Sequence, residues 1–467
     1  MSIFGHHVSR GTIILSFVEA LIFGSVFLIA GYFVLGGERG EGIANFATEV
    51  ALPTGSVMIC LLVVGGYNLD VWKSPRTMAK RVAAGAIGGS AAIVLFHDVM
   101  TGAGTISYGL IAAAVIGCTI AAIGRLIGGH STMVQGYLHK KVLILGTGDQ
   151  AAALWDLIQP VKVNAGKLFG FLRFGSELED QRLANERLPE DRVRETELSL
   201  TDYALANEIR EIIVAFDSPD EALPERALLD CRLHGISVID SVSFVERETG
   251  RIGVDTVSLR WLIFSPGFRR GRLRAAVKRI ADFLISTFAL IVLSPLMALT
   301  ALVVKLDSPG PALFEQVRVG LGGKPFVIYK FRSMRQDAEA DGKAQWAQKN
   351  DVRITKIGKF LRMTRLDELP QLYNVLRGDM SLVGPRPERP EFVEGLCEEI
   401  PFYMERHSVR PGITGWAQTS FAYAATIEDT KVKLEYDLYY VKNYSLFLDL
   451  LVLIQTFRVA VRGDGAR

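Results

Sequence analysis

Apolar residues form four long runs near residues 12–36, 51–68, 82–99 and 106–127, and polar stretches separate them. Each run approaches the ~20 residues that a helix needs to cross hydrocarbon, so four transmembrane helices are predicted within residues 1–135. The first run is too long for a removable leader and lacks a small-residue cleavage site, which points to a retained anchor. The second and third are short and rich in Gly and Ala. Basic residues keep to alternate connections: Lys73, Arg76, Lys80 and Arg81 lie between the second and third runs, and Arg125, Lys140 and Lys141 follow the fourth. The other two connections carry Glu38, Glu41 and Glu49, or almost nothing basic. The positive-inside rule therefore puts both ends of the bundle in the cytoplasm. Glu19 interrupts the first run without an evident partner, and it marks either a polar pathway or a contact between helices.

The pattern changes at KVLILGTGDQA (141–151), which reads as a strand, then Gly146-x-Gly148-x-x-Ala151, then an amphipathic helix. EIIVAF (211–216) and GISVI (235–239) are further strands separated by helical patterns. Together they predict a small Rossmann-like parallel α/β domain over residues 138–248. A dinucleotide fingerprint wants an acid about 20 residues downstream, and KVNAGKLFGFLRF (162–174) offers none. The glycine turn serves equally well to pack strand on helix. A membrane-anchored nucleotide-sugar dehydratase needs a Tyr-x-x-x-Lys pair after such a loop, and the match here, Tyr137 to Lys141, precedes it.

A fifth apolar run, 280–304, is long enough to span but holds Ser294-Pro295 near its middle. Proline removes a backbone donor and crowds the preceding turn, so a break or bend is expected. Arg269, Arg270, Arg272, Arg274, Lys278 and Arg279 precede the run, and Lys305, Arg318, Lys324, Lys330 and Arg332 follow it. Both flanks thus favour the cytoplasm, which a single crossing does not allow. The reading is a linker over 249–275, then a re-entrant membrane helix over 276–306, a helix-break-helix hairpin that enters and leaves one leaflet, with a fifth span kinked at the proline as the alternative.

Composition agrees with a membrane protein, at 467 residues and 49% hydrophobic, whereas the net charge of +2 is uninformative because acids and bases are unevenly placed. Cys60, Cys118, Cys231 and Cys397 form no C-x-x-C pair, which fits neither a disulfide framework nor a zinc site.

From Asp307 onward the motifs are compact and rich in charge. They include Asp307-Ser-Pro-Gly-Pro311, the strand-like FEQVRVG and VIYKFRSM, RITKIGKFLRMTRLDELPQLYNVLRGDMSLVGPRPERPEF, and RPGITGWAQ (410–418). Asp367 and Glu368 stand side by side, and acids at a helix start beside Pro370 account for them locally. The surrounding bases suggest more. Lys330, Arg332, Arg353, Arg362, Arg377, Arg386 and Arg410 are what a site needs to neutralise an attacked phosphoanhydride, together with a divalent cation. A carboxylate among such cations stays ionised and can attack phosphorus.

These blocks resemble the bacterial sugar transferase family, the monotopic polyprenol-phosphate phosphoglycosyl transferases, over about residues 275–467. Four spans, a Rossmann-like domain and a catalytic domain over 307–467 resemble the large initiating enzymes of exopolysaccharide synthesis. The junction FVERETGRIGVDTVSLRWLIFSPGF (244–268) is most similar to the exosortase-associated subgroup. The resemblance implies transfer of a sugar 1-phosphate from a UDP-sugar to undecaprenyl phosphate with Mg²⁺. The setting it implies is the cytoplasmic face of the bacterial inner membrane, upstream of further glycosyltransferases and without nucleic acid; a homodimer is compatible with it. By position Asp367 is the family's nucleophile, Glu368 its partner for Mg²⁺ or proton handling, and Arg362 a phosphate-binding arginine. Pro385-Arg386-Pro387 falls at the uridine end. The Arg410–Gly415 loop suits either pyrophosphate or a structural turn, and Asp379 fits either role. Gly378 and Gly384 read as turn residues. YSLFLDLLVLIQTFRVAVR (444–462) reads as an interfacial or a core helix. A non-enzymatic rival is a membrane-anchored nucleotide sensor or scaffold, which has no need of the acid pair. The fold class expected is α/β with membrane helices, the catalytic domain being mixed and mainly helical.

Overall fold

The computed structural model describes residues 2–3, 6–7, 10–34, 50–67, 75–101, 108–130, 141–158, 168–173, 185–217, 223–268, 271–335, 353–421 and 426–462. They divide into two compact units near Val142 and Leu143. Glu38, Glu41, Glu49, Lys73, Tyr137, Lys140, Arg269, Arg270 and residues 162–167, all used in the sequence reading, lie outside the described residues.

The first unit contains α1 (Arg10–Val34), α2 (Leu52–Val64), α3 (Pro75–Thr101) and α4 (Tyr108–His130), one helix for each apolar run. α1 packs on α4, α2 on α3, and α3 on α4. Phe23, Phe27, Val57 and Leu61 meet the small Ala113, Ala114 and Ala121 in a shared core, small residues being what lets apolar helices approach closely. Two helical stretches of the described chain are long and apolar enough to cross a membrane, 12–30 and 272–307; 52–64 and 110–126 are shorter apolar helices.

Glu19 acquires the partner that the sequence did not reveal. Its carboxylate accepts from Arg125 Nε at 2.6 Å and Nη2 at 2.8 Å. Arg125 Nη1 donates to the Gly66 carbonyl at 2.9 Å, and the guanidinium lies over the Tyr67 ring. Arg125 is therefore an interhelix contact rather than an exposed exit charge. Either charge alone would be costly there, whereas the paired, hydrogen-bonded set is tolerated.

The second unit begins with a five-stranded sheet. Its strands are β1 (Lys141–Leu145), β2 (Leu168–Leu172), β3 (Val193–Arg194), β4 (Ile209–Val214) and β5 (Ser237–Asp240). Helices α5 (Asp149–Ile158), α6 (Leu200–Ala206), α7 (Glu225–Leu233) and α8 (Ser241–Thr249) follow β1, β3, β4 and β5. The order β3-β2-β1-β4-β5 places the glycine turn at the sheet centre, with β2–β3 and β4–β5 parallel. This is the strand order of a Rossmann sheet through its fifth strand.

Residues 249–268, including α9 (Leu259–Phe264), were read as a linker. Ile252, Val254 and Val257 are buried with Trp416, Leu434, Leu438 and Tyr439 in the C-terminal core. Trp416 Nε1 donates to the Gly250 carbonyl at 2.8 Å, and the Val254 N–H donates to Glu435 Oε1 at 3.1 Å. Lys442 and Asn443 both donate to Glu246 of α8.

The remainder starts with α10 (Arg272–Asp307) and the antiparallel hairpin β6 (Leu313–Val319) and β7 (Pro325–Phe331). Then come α11 (Lys356–Thr364), α12 (Gln371–Arg377), β8 (Ser381–Val383), α13 (Pro390–Glu399) and β9 (Gly412–Thr414), β8 and β9 being parallel. α14 (Trp416–Ser420), α15 (Ile427–Lys442) and α16 (Leu446–Arg462) complete the chain. α16 buries Leu448 and Val452 while Leu446, Leu450 and Phe457 stay exposed, so it combines a core face with an open apolar face.

α10 shows the same division along its length. Lys278, Asp282, Ser286, Thr300 and Val304 are buried, and Leu293 and Met297 pack on the core between them. Leu284, Phe288, Ile291, Val292, Leu299 and Leu302 are exposed. The break expected at Ser294-Pro295 is absent: the helix runs unbroken through Pro295. A residue at 295 would donate its N–H to the carbonyl of Ile291, which proline cannot do. Ser294 Oγ donates to that same carbonyl at 2.8 Å, and this explains the Ser-Pro pair on an apolar surface where an orphan carbonyl is expensive. Ser294→Ala is expected to lower stability by about 1–3 kcal/mol, and adding Pro295→Ala should restore most of it by returning an N–H. Melting temperatures of the two variants in lipid nanodiscs check this; a Ser294→Ala protein as stable as the wild type would refute the assignment.

Candidate active site

Asp367 and Glu368 do not open an α-helix. They lie in a 3₁₀ turn, Leu366–Glu368, between α11 and α12. α11 is capped at its start by Thr355 Oγ1, which accepts from the Gly358 N–H, and ends where Arg365 takes a left-handed conformation, φ 59°. Pro370 then leads into α12, where no intrahelical donor is needed. This sharp path buries both carboxylates, leaving Asp367 8% and Glu368 7% exposed.

Three cations meet at Glu368 Oε1. Arg386 Nη2 donates at 3.0 Å, Lys330 Nζ stands at 3.6 Å and Arg365 Nη1 at 3.7 Å. Burial pushes the Glu368 pKa up, but Arg386, Lys330 and Arg365 outweigh it and hold the carboxyl down to about 2. Asp367 moves the other way: burial and then its charged neighbour Glu368 raise it, against the pull of Lys330, Arg362 and Arg386. Burial and the Arg386 charge bring Lys330 down to about 8, with Glu368 opposing. Asp367 Oδ1 is buried without a hydrogen-bond partner among the described residues. Two adjacent acids thus have different environments, one neutralised by arginine and lysine and the other keeping an unsatisfied oxygen.

The structure gathers Lys330, Arg362 and Arg386 around the acid pair and adds Arg365. Arg362 lies on α11 and is separated from the acids by the turn at Arg365, so it does not share a helix with them. Arg332, Arg377 and Arg410 have other partners. Arg332 donates to the carbonyls of Pro309 and Ser308, each at 2.7 Å, and so caps the end of α10. Arg377 pairs with Asp379 at 3.3 Å, and Arg410 Nε donates to the Gly378 carbonyl at 3.0 Å. Arg353 borders residues 336–352 and accepts the Arg335 N–H through its carbonyl at 2.9 Å. Gly378 closes α12 at φ 101°. A Cβ at Gly384 would come within 2.3 Å of the Arg410 carbonyl oxygen, so that glycine lets the Pro385–Pro387 and Arg410–Gly415 loops press backbone against backbone.

Asn374 escaped the sequence reading. Its Oδ1 accepts the Tyr329 N–H at 3.1 Å and its Nδ2 donates to the Val327 carbonyl at 2.7 Å, imitating a neighbouring strand. That pins β7, and with it Lys330, against α12. No local pattern signals this, because the partners lie 45 and 47 residues away.

Among the described residues no group of three or more His, Cys, Asp or Glu side chains converges on a metal position. A cation at the acid pair would rest on one or two carboxylates, which suits Mg²⁺, since it takes its remaining ligands from phosphates and water. The unpartnered Asp367 Oδ1 fits that donor set. The Rossmann-like turn does not fit a dinucleotide. Asp217 Oδ1 accepts the Gln150 N–H at 2.7 Å, and a Cβ at Gly148 would lie 1.9 Å from Asp217 Oδ2. The carboxylate stands at the helix N-terminus where a pyrophosphate would sit.

The buried acid pair is thus ringed by arginine and lysine and stands next to a long apolar helix. Residues 273–463 match the family described as bacterial sugar transferase. The chain is 48% identical over 265 residues to a UDP-N-acetylgalactosamine-undecaprenyl-phosphate N-acetylgalactosaminephosphotransferase of Aeromonas hydrophila, covering 56% of this chain and 61% of that protein. It is 48% identical over 181 residues to a UDP-glucose:undecaprenyl-phosphate glucose-1-phosphate transferase of Klebsiella pneumoniae, covering 38% and 39%. It is 47% identical over 196 residues to the exopolysaccharide production protein PSS of Rhizobium leguminosarum bv. phaseoli, covering 40% of this chain and 98% of that relative. The chain belongs to the bacterial sugar transferase family. Its match spans less than two thirds of the Aeromonas and Klebsiella relatives.

With Lys330 held near 8, its charge is present below that pH and is lost as pH rises through it. Affinity for inorganic pyrophosphate, measured by calorimetry without divalent metal, should therefore fall across pH 7–9. Lys330→Arg should remove the fall, because arginine stays charged. An identical pH dependence in both proteins would contradict the role given to Lys330.

Proposed function

We propose that the protein transfers a sugar 1-phosphate from a UDP-sugar to undecaprenyl phosphate, releasing UMP, in two steps through a phosphosugar carried on Asp367. The observation that carries this reading is the asymmetry of the acid pair. Glu368 is ion-paired and fixed, whereas Asp367 Oδ1 is buried, unpartnered and flanked by the charges of Lys330, Arg362 and Arg386. A carboxylate so placed can attack the sugar-linked phosphorus while the cations offset the repulsion between anions. The P–O bond to UMP breaks as the aspartyl bond forms, and the lipid phosphate then displaces Asp367. Mg²⁺, when bound, would supply Lewis-acid stabilisation of the diphosphate; Asp367 Oδ1 and Glu368 are the residues to hold it. Pro385-Arg386-Pro387 supplies the nucleotide end of the site.

The membrane arrangement in this reading is α10 as a re-entrant helix and a multi-pass first unit in the bacterial inner membrane, with the catalytic residues on the cytoplasmic face. Support comes from both halves of α10 resting on the same domain. Arg279 donates to the Val375 and Leu376 carbonyls at 2.5 and 2.6 Å, and Asp282 Oδ1 accepts the Leu382 N–H at 3.3 Å. Further on, Met297, Ala301 and Val304 pack with Phe331 and Leu361. The name of the Rhizobium relative, an exopolysaccharide production protein, supports exopolysaccharide synthesis as the setting.

Asp367→Asn should reduce turnover by several orders of magnitude while UDP-sugar binding survives, and Glu368→Gln should also cripple the enzyme. Labelled UMP should exchange into UDP-sugar in the absence of any lipid. Exchange that requires polyprenyl phosphate in folded, Mg²⁺-supplied protein would replace the two-step scheme with direct attack by the lipid.

A further inference from the structure

Arg386 reaches Glu368 from a loop with few means of being held. Pro385 and Pro387 on either side of it have no N–H, so the loop backbone is fastened mainly through carbonyls. Each carbonyl from 386 to 388 has a donor. Arg406 Nη2 donates to the Arg386 carbonyl at 3.0 Å, Arg318 Nη1 to that of Pro387 at 3.2 Å, and the Val319 N–H to that of Glu388 at 2.9 Å. Arg318 and Val319 belong to strand β6. Arg406 comes from the 3₁₀ turn Tyr403–Ser408 and is one of the most deeply buried charges in the chain, 2% exposed.

Its other bonds all serve to fix it. Nε and Nη2 donate to Asp437 Oδ2 of α15 at 3.0 and 2.7 Å, and Nη1 donates to the Tyr403 hydroxyl at 2.9 Å. Asp437 is 1% exposed. One turn away on α15, Lys433 binds Glu388 at 2.6 Å, so the same helix grips the loop at a second point. A buried ion pair is weak evidence for stability, since well-packed apolar residues often do as well. A geometric task accounts for this one better.

We propose that Arg406, oriented by Asp437, is a positioning residue for the transfer reaction: it fixes the main chain of Arg386 and so directs the Arg386 guanidinium onto Glu368. The hydrogen bonds of Arg406 go to Asp437, Tyr403 and the Arg386 carbonyl, so it acts on the catalytic pair through the Arg386 loop. The activity arm of the test rests on the transferase reading; the stability arm does not.

The test compares purified full-length proteins. Arg406→Met with Asp437→Leu removes both buried charges together and leaves neither stranded. UMP release from UDP-sugar should fall 10–100-fold in kcat/KM with the melting temperature nearly kept. Introducing Arg386→Ala into this background should then cost less than threefold more, although alone it is severe. Arg406→Lys keeps the charge opposite Asp437 but cannot reach Asp437, Tyr403 and the Arg386 carbonyl at once, so it should show the same loss if the double replacement does not fold. Independently of activity, the coupling between Arg386→Ala and Glu368→Gln in melting temperature should be present in the native background and absent with Arg406→Lys. Wild-type activity in the Arg406 variants, multiplicative losses with Arg386→Ala, or unchanged Arg386–Glu368 coupling overturns the proposal. A wild type that releases no UMP, with the coupling lost as expected, overturns the transferase reading and leaves the positioning role standing.

Discussion

Two carboxylates on consecutive residues and both out of water is the constraint around which the C-terminal domain is organised. Each ion raises the cost of the other, and burial raises the cost of both. The structure meets this by concentrating Arg386, Lys330 and Arg365 on one oxygen of Glu368. Glu368 stays ionised and immobile, and Asp367 is left with the raised pKa and the unpaired oxygen. The division of labour does not require different residue types. It follows from which of the two acids the cations reach.

Two of the three cations in that cluster depend on elements far from them in sequence. Lys330 is placed by β7, which Asn374 ties to α12; Arg386 is placed by a proline-flanked loop held from β6, the Tyr403–Ser408 turn and α15. α15 also binds the Rossmann-like domain through Lys442 to Glu246, and the segment that follows that domain through Glu435 to Val254. One helix therefore carries the contacts of the middle domain on one side and those of the Arg386 loop on the other. The first turn of a dinucleotide fold is retained at Gly146–Ala151, but with Asp217 over the helix N-terminus its ligand site is closed by the chain itself.

Features carried by local pattern were legible in the sequence. The four apolar runs became four helices, the glycine turn followed the first strand of an α/β domain, and the acids lay among Lys330, Arg362 and Arg386. What escaped depends on distant partners. Glu19 looked solitary because Arg125 is 106 residues away. Arg332 looked like a phosphate ligand because the sequence shows its charge but not the carbonyls of Ser308 and Pro309 that consume it. Arg365 stood in plain view, two residues before Asp367, yet only its left-handed backbone turns it back toward Glu368. Residues 249–268 read as a linker for want of a long periodic pattern, since their buried positions alternate with turns that α15 and α14 complete.

The account stands on Asp367 rather than Glu368 being the acid left free to attack. Mass spectrometry of peptides from protein incubated with UDP-sugar and Mg²⁺, without lipid, tests this most directly. A sugar-phosphate adduct on the peptide 366–377, lost in Asp367→Asn and retained at least in part in Glu368→Gln, is the predicted result. An adduct that persists in Asp367→Asn and disappears in Glu368→Gln would contradict the assignment.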